Sequence, residues 1–493
     1  MKKPKIITLK AWFLAVFVNT LVMGCAAVGP DYSPPEISVS PAWHTQLKDC
    51  FTEHEVDPES LAEWWTTLND HKLSGLIKRA SANNLDLKKA RARIRESRAR
   101  RGITRADFFP TLDATGSASW SRTSEDRGAG KTSDLYSASF DAGWELDIFG
   151  GVRRSVEAAD ADLQATRENL RDVMVSLLAE VALNYIEVRT FQTRLNMAEA
   201  NLEAQAETHK LILWRYQAGL SDELALQQAR YNLENTRSQI PTLQTGLQEA
   251  MNRVAVLLGE QPGKVHDDLV KREPIPVIPL KVAIGFPADV LRRRPDVRQA
   301  ERELAAQTAR IGVATADLYP RFRLKGSIGL ETLSLSNPSS SDSRTISGGP
   351  GISWAIFDAG AIRNNIEVQS ALQEQALIKY ETTILDALEE IENSLVAYAG
   401  EQQRRDRLLK ATQAAKNAAD LAQQKYEAGL TDFSNILDAQ RSLLSFQDQL
   451  AQSEGTVTSN LIRIYKALGG GWSTMAFEEN TSFLSEKTNE IKK

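Results

Sequence analysis

The sequence predicts an α+β membrane protein whose four strands enter a shared β-barrel that continues into long helices. Three observations carry this. The chain contains itself twice: Asn84–Gly259 and Arg294–Gly469 align with their landmarks 210 positions apart and no insertion. Ala90 falls on Ala300, Gly102 on Gly312, Pro110 on Pro320, Trp144 on Trp354, Gly150 on Gly360, Tyr216 on Tyr426 and Gly219 on Gly429. Each copy also holds two segments of period-two alternation, and each follows them with a long helical pattern. Repeats of about 20 to 50 residues make solenoids; this one is a duplicated domain.

The chain opens on a targeting signal. Lys2, Lys3, Lys5 and Lys10 precede an apolar stretch from Ala11 to Met23, too short to span a bilayer comfortably. It ends in Gly24-Cys25, which resembles a bacterial lipobox. Residues 1–24 are therefore expected to be a lipoprotein signal peptide. Cys25 would become the lipid anchor, with diacylglycerol on its sulfur and palmitate on its new amine. Each buried CH₂ contributes about 0.8 kcal/mol to such an anchor. Ala26, not Asp, follows the cysteine, which points to the outer membrane. An ordinary secretory signal with an incidental cysteine is the competing reading.

A helix is expected over about Leu73–Asp107, with a counterpart over Asp289–Asp317. Residues 111–121 then alternate, with Leu112, Ala114, Gly116, Ala118 and Trp120 opposite Asp113, Thr115, Ser117 and Ser119. Residues 135–146 do the same, with Tyr136, Ala138, Phe140, Ala142 and Trp144 on one side. Residues 321–330 and 346–356 repeat the pattern, the latter running through Ile352, Trp354 and Ile356. Strands of about 9–11 residues with one apolar face suit a membrane barrel, although alternation alone also fits a half-buried soluble sheet. Four strands cannot close a barrel, since the smallest have about eight. Several copies must share one, leaving no edge in lipid, and three copies would supply twelve strands. Trp120, Tyr136, Trp144 and Trp354 would face lipid or its interface.

Ala161–Trp214 contains neither Pro nor Gly, and its apolar ladder runs Leu170, Met174, Leu177, Val181, Tyr185, Val188 at three- and four-residue steps. A helix from about Val152 to Tyr216 would be roughly 100 Å long at about 1.5 Å per residue. Gly219 ends it, and a second helix runs from about Asp222 to Leu258. The organisation is then 1–24 signal peptide, 25–72 anchor and equatorial segment, 73–259 first repeat, 260–284 proline-containing linker, 285–469 second repeat, and 470–493 polar tail, expected to be frayed or loosely packed.

The net charge of −5 gives no basic stripe for nucleic acid. Two cysteines and five scattered histidines form no metal spacing. No phosphate-binding loop or nucleophile elbow is present, so nothing invites an enzyme and no cofactor is expected. A lipid-anchored spacer with coiled-coil arms would explain the helices and Cys25 but not the alternating strands.

Specific motifs add a family. Gly29-Pro30-Asp31-Tyr32, Trp64-Trp65, Arg292-Arg293-Arg294-Pro295-Asp296-Val297, Tyr426-Glu427-Ala428-Gly429-Leu430 and Leu437-Asp438-Ala439-Gln440 together resemble the TolC/NodT-type outer-membrane factors, lipoprotein branch, over nearly the whole mature chain. The resemblance implies a homotrimeric, 12-stranded outer-membrane β-barrel above a periplasmic α-helical barrel. It also implies a passive exit duct for small molecules, opened by a periplasmic adaptor protein and an inner-membrane pump of the resistance–nodulation–division type. The adaptor would dock at two hairpin tips, Gly219-Leu220 and Gly429-Leu430, where glycine permits a tight reversal. The periplasmic gate would lie at the start of the last helix, with Asp432 and Asp438 as candidate rings and Tyr426 and Glu427 holding the closed tip. Asp432 competes as a helix cap, and Asp438 as an ordinary solvated residue.

Overall fold

The computed structural model describes residues 27–36, 39–45, 51–52, 57–126, 130, 132–276, 282–334 and 341–472. Cys25 and the signal segment lie outside them, as does the tail beyond Trp472. In chain order the elements are β1 (Phe51–Thr52), α1 (Pro58–Ala62), α2 (His71–Asn83), α3 (Leu85–Ala106), β2 (Thr111–Arg122), β3 (Thr132–Leu146), α4 (Gly151–Gln217) and α5 (Glu223–Leu257). They continue with α6 (His266–Leu269), β4 (Val282–Ala283), α7 (Pro287–Arg293), α8 (Pro295–Ala316), β5 (Arg321–Thr332), β6 (Arg344–Ser353), α9 (Ala361–Glu427) and α10 (Phe433–Ala467). Helices α3, α4 and α5 match α8, α9 and α10 in length at the 210-residue spacing.

Two expectations need correction. The helix expected over Leu73–Asp107 breaks at Asn84, and that over Asp289–Asp317 breaks at Arg294, its counterpart. Asn84 turns extended (φ −54°, ψ 137°), and its side-chain oxygen accepts from the N–H groups of Asp86 at 2.8 Å and Leu87 at 3.0 Å. It thus caps a new helix. Arg294 precedes Pro295, whose ring disfavours helical backbone in the residue before it. The strand expected over 346–356 ends at Ser353, which leaves Trp354 and Ile356 outside it. Ser353 pairs with Arg321, the first residue of β5, so the ladder has no partner beyond that point.

By contacts the chain divides into two compact units. The first holds residues up to 36, 92–168 and 298–383. Its sheet is antiparallel throughout in the order β2-β3-β5-β6, so β2 and β6 are edges. Its helical segments also follow one order. Arg101 of α3 pairs with Asp160 of α4. Arg310 and Arg298 of α8 pair with Asp162 and Glu168 of α4. Lys379 of α9 pairs with Glu303 of α8 at 2.6 Å. Among the described residues these ion pairs give the order α3-α4-α8-α9, with α3 and α9 at its ends, just as β2 and β6 end the sheet.

The second unit holds residues 37–91, 169–297 and 384–493. The apolar ladder of α4 forms its core: Met174, Val181, Tyr185 and Val188 have no exposed surface. Trp64 stacks on Tyr465 with ring centres 5.4 Å apart. Arg189 is fully buried and gathers the linker. It donates to the Tyr185 hydroxyl (3.0 Å), Gln192 (2.8 Å), the Lys271 carbonyl (2.9 Å) and the Glu273 carboxylate. Tyr185 in turn donates to Asp70 at 2.6 Å. The tail starts packed, since Gly470 and Gly471 are buried and the Gly471 N–H bonds the Leu61 carbonyl.

Candidate functional site

The sheet presents two chemically different faces across all four strands. Cross-strand register places Ala114 beside Phe140, Phe140 beside Ile328, and Ile328 beside Ile346. Trp144, Leu324 and Pro350 form a second such row. Along this face Leu112, Trp120, Phe140, Ile328, Ile346 and Ile352 are each more than half exposed. Trp144 is 39% exposed and Trp354, past the strand end, 54%; Tyr136 lies on the same face, half-buried. The opposite face is a hydrogen-bonded polar lattice. Thr115 meets Ser139 at 2.8 Å and Asp141 at 2.7 Å, Ser117 meets Ser137 at 2.8 Å, and Arg323 pairs with Glu145 at 2.9 Å. An exposed apolar area of this size marks a surface made for lipid or a partner. Among the described residues no helix is long and apolar enough to cross a membrane.

The two predicted tips adopt one geometry. Gly219 (φ 74°) donates to Tyr216 and Leu220 to Arg215; Gly429 (φ 72°) donates to Tyr426 and Leu430 to Lys425. This pairing is the left-handed helix stop that glycine supplies without steric cost. A side chain at either glycine would point into open space. Leu220 and Leu430 stand 69% and 76% exposed.

The start of α10 differs from its counterpart. Asp222 caps α5 by accepting from the Ala225 N–H at 2.8 Å. Asp432 occupies the same cap position with extended backbone, but its side chain makes no capping bond; it is exposed. Asp438 is exposed and approaches Arg441 at 3.7 Å. Tyr426 is buried in a core cluster with Ile212, Phe433, Ile436 and Leu437, beneath the Arg215 guanidinium at 4.7 Å. Burial raises its phenol pKa against the nearby Arg215 charge. Glu427 is exposed and accepts from Gln423. So Asp432, Asp438 and Glu427 are surface groups, whereas Tyr426 packs within its own chain.

Sequence reasoning missed Arg441, which bonds Tyr231 and Asn232 of α5. The repeat held the clue: Tyr231 and Arg441 are counterparts, 210 positions apart. It also missed the buried Arg189, since a basic residue on an apolar ladder carries no periodic signal. Among the described residues no cluster of His, Cys, Asp and Glu could hold a metal ion.

Known proteins match this arrangement. The outer membrane efflux protein family model matches residues 76–260 and again 286–470. The chain is 30% identical to nodulation protein T of Rhizobium leguminosarum bv. trifolii, over 93% of this chain and 97% of that one. It is 32% identical to the solvent efflux pump outer membrane protein SrpC of Pseudomonas putida, over 93% and 98%. Among solved structures it is similar to the outer-membrane channel OprN, with a TM-score of 0.84 and 37% identity over 91% of this chain and all of that one. The CusC channel follows at 0.78 and 28%, over 90% of this chain and all of that one. The chain belongs to the outer membrane efflux protein family and is an outer-membrane channel component of an efflux system.

Proposed function

We propose that the protein is a passive exit duct, without enzymatic activity, built as a homotrimer with one 12-stranded barrel. The observation that carries this is the four-stranded sheet with one apolar face, one polar face and two unpaired edges. A sheet edge in lipid leaves backbone N–H and C=O groups unsatisfied, so β2 of one copy must meet β6 of the next. The apolar face then meets lipid and the Ser/Thr lattice lines water. Energy comes from an inner-membrane pump through a periplasmic adaptor. The relatives' names span solvent, toluene, cation and antibiotic efflux, so substrate selection falls to the pump. Cys25 carries the lipid anchor. Asp432 and Asp438, with Tyr426 and Glu427, form the periplasmic gate, and Gly219-Leu220 and Gly429-Leu430 form the adaptor contact.

The test is efflux in a strain deleted for its own channel, with trimers followed in parallel. Leu220→Glu or Leu430→Glu abolishes export and leaves trimers and bilayer conductance intact. Normal export by both variants would remove the tips as the docking surface. A protein without conductance in planar bilayers would overturn the duct itself.

A further inference from the structure

We propose that the cleft between α5 and α10, floored by α4, is an oxyanion-binding site on the inner wall of the duct, with Arg253 and Arg463 as its two guanidinium arms. It takes a small multivalent anion, a phosphate- or carboxylate-bearing compound in transit. This rests on the homotrimeric duct reading and adds a ligand site to its lumen.

Helix α4 lies between the other two. A Cβ at Gly246 of α5 would collide with the Phe191 ring, and one at Gly455 of α10 with the Thr190 side chain. Over α4 these close approaches leave a cleft of about 430 Å³, room for a small oxyanion and its water. Glu187, Thr190 and Arg194 lie on its floor, Arg253 on one wall, and Ser459 and Arg463 on the other. Arg253 and Arg463 are repeat counterparts, each four residues before the end of its helix. The duplication thus sets one arginine on each side of a single cleft.

The charges are unevenly spent. Arg194 is held by Asp448 at 2.7 Å. Arg253 and Arg463 are exposed, and among the described residues neither pairs with a carboxylate; Arg463 donates to the Asn460 side chain at 2.7 Å. Glu187, also exposed, is the one acidic side chain of the lining among the described residues. Two uncommitted guanidinium forks against one carboxylate leave the cleft positive. Such forks match the paired oxygens of carboxylates and phosphates, and the Ser459 hydroxyl is a further donor.

The cleft points inward. At roughly 100° per residue, Glu187 and Arg194 lie on the side of α4 opposite Arg189. Arg189 and its neighbour Gln192 bond the linker, at the Lys271 and Leu269 carbonyls. The linker therefore covers one face of this helix layer, and the cleft opens on the other. A duct kept open carries its linkers outside. Two helices that flank a third also converge over it on the concave side of a curved wall, which is the lumen. The gate residues Asp432 and Asp438 stand at the start of α10 and Arg463 near its end. An anion entering from the barrel side thus reaches the cleft before the tip.

The probe is pyrophosphate, added on the barrel side of trimers in planar bilayers at constant ionic strength. Wild type should show a saturable fall in conductance. Arg253→Gln with Arg463→Gln should weaken this block about tenfold or more, because charge-assisted contacts are lost on both walls. Glu187→Gln should tighten it, and Asp438→Ala, at the far end of α10, should leave it unchanged. Citrate run in parallel separates the sources: a stronger block by pyrophosphate assigns phosphate compounds, a stronger block by citrate assigns carboxylates, and either supports the site. A conducting wild type that neither anion blocks, or a double variant blocked as strongly as wild type, would overturn the anion site and leave the duct standing. A wild type that never conducts would overturn the duct and the site with it.

Discussion

Trp144 donates its indole N–H to the carbonyl of Phe108 at 2.9 Å, and Trp354 does the same to Leu318 at 3.0 Å. Both the donors and the acceptors are repeat counterparts, 210 positions apart. In each half the bond joins the end of a strand segment to the turn that follows the helix before the first strand. An indole suits this place, because its ring is apolar and its N–H needs a partner where water thins. Trp144→Phe and Trp354→Phe keep the ring area and lose the bond. Each should cost about 0.5–1.5 kcal/mol and lower the unfolding temperature of detergent-purified protein, the two effects being similar. Unchanged unfolding temperatures would mean that water replaces the bond fully.

Arg189 is the centre of the second unit. Its charge is satisfied by Glu273 and its remaining donors by Tyr185, Gln192 and the Lys271 carbonyl. Arg189→Met leaves the Glu273 carboxylate with only the Lys271 ammonium at 3.8 Å and takes a donor from the Tyr185 hydroxyl and the Lys271 carbonyl, a loss of about 3–5 kcal/mol. The lower end applies, because the Glu273 side chain is 30% exposed. The first part to loosen should be the linker around residues 269–273, seen as faster proteolysis there before any change in the sheet. Equal protection in variant and wild type would assign the linker's order to Arg79, which pairs with Glu260 and Asp268.

The periodic parts of the fold were legible in the sequence because period two and period 3.6 are set by which face is wetted. The long helices were expected over Val152–Tyr216 and Asp222–Leu258 and occur at Gly151–Gln217 and Glu223–Leu257. What escaped is local or relational. The break at Asn84 changes one residue's dihedrals and leaves the apolar ladder unaltered. The end of β6 depends on where β5 begins, which no property of Trp354 or Ile356 encodes. The tips were legible from glycine, but the burial of Tyr426 follows from Ile212 and Phe433 arriving from elsewhere in the chain.

Two half-buried carboxylates give opposite pH signatures. Burial works against the charge on Glu390, but the Lys466 hydrogen bond and the charge and bond of Arg294 outweigh it and hold its pKa below the ordinary glutamate value. Its stabilisation is therefore present above the unfolded value and lost as pH falls through the folded one. Burial raises the Asp172 pKa, and the Asp296 charge adds to this against Arg294 and Lys466. Asp172 thus stabilises the fold only at low pH, and that contribution is lost as pH rises through its folded value. Asp172→Asn should raise the unfolding temperature at neutral pH, with the gain shrinking as pH falls to the ordinary aspartate range. Glu390→Gln should lower it at neutral pH and converge with wild type in acid. A gain from Asp172→Asn that is flat with pH would show that its charge is not involved.

The proposed gate is tested at Asp438. Its contact with Arg441 is 3.7 Å long and its side chain is 75% exposed, so the pair contributes little and leaves the carboxylate free for other partners. Asp432 likewise makes no capping bond. In a trimer each would appear three times about one axis, and close carboxylate rings favour cations and exclude anions. The anchor of this segment is Arg441, held by Tyr231 and Asn232. Asp438→Ala should weaken cation selectivity and divalent-cation block in planar bilayers without changing the trimer. Tyr231→Phe removes a tie of α10 to α5 and should raise conductance with selectivity kept, because it frees the helix and leaves the ring charge in place. If Asp438→Ala leaves conductance, selectivity and block as in wild type, Asp438 is an ordinary solvated residue, and the constriction must be sought at Asp432.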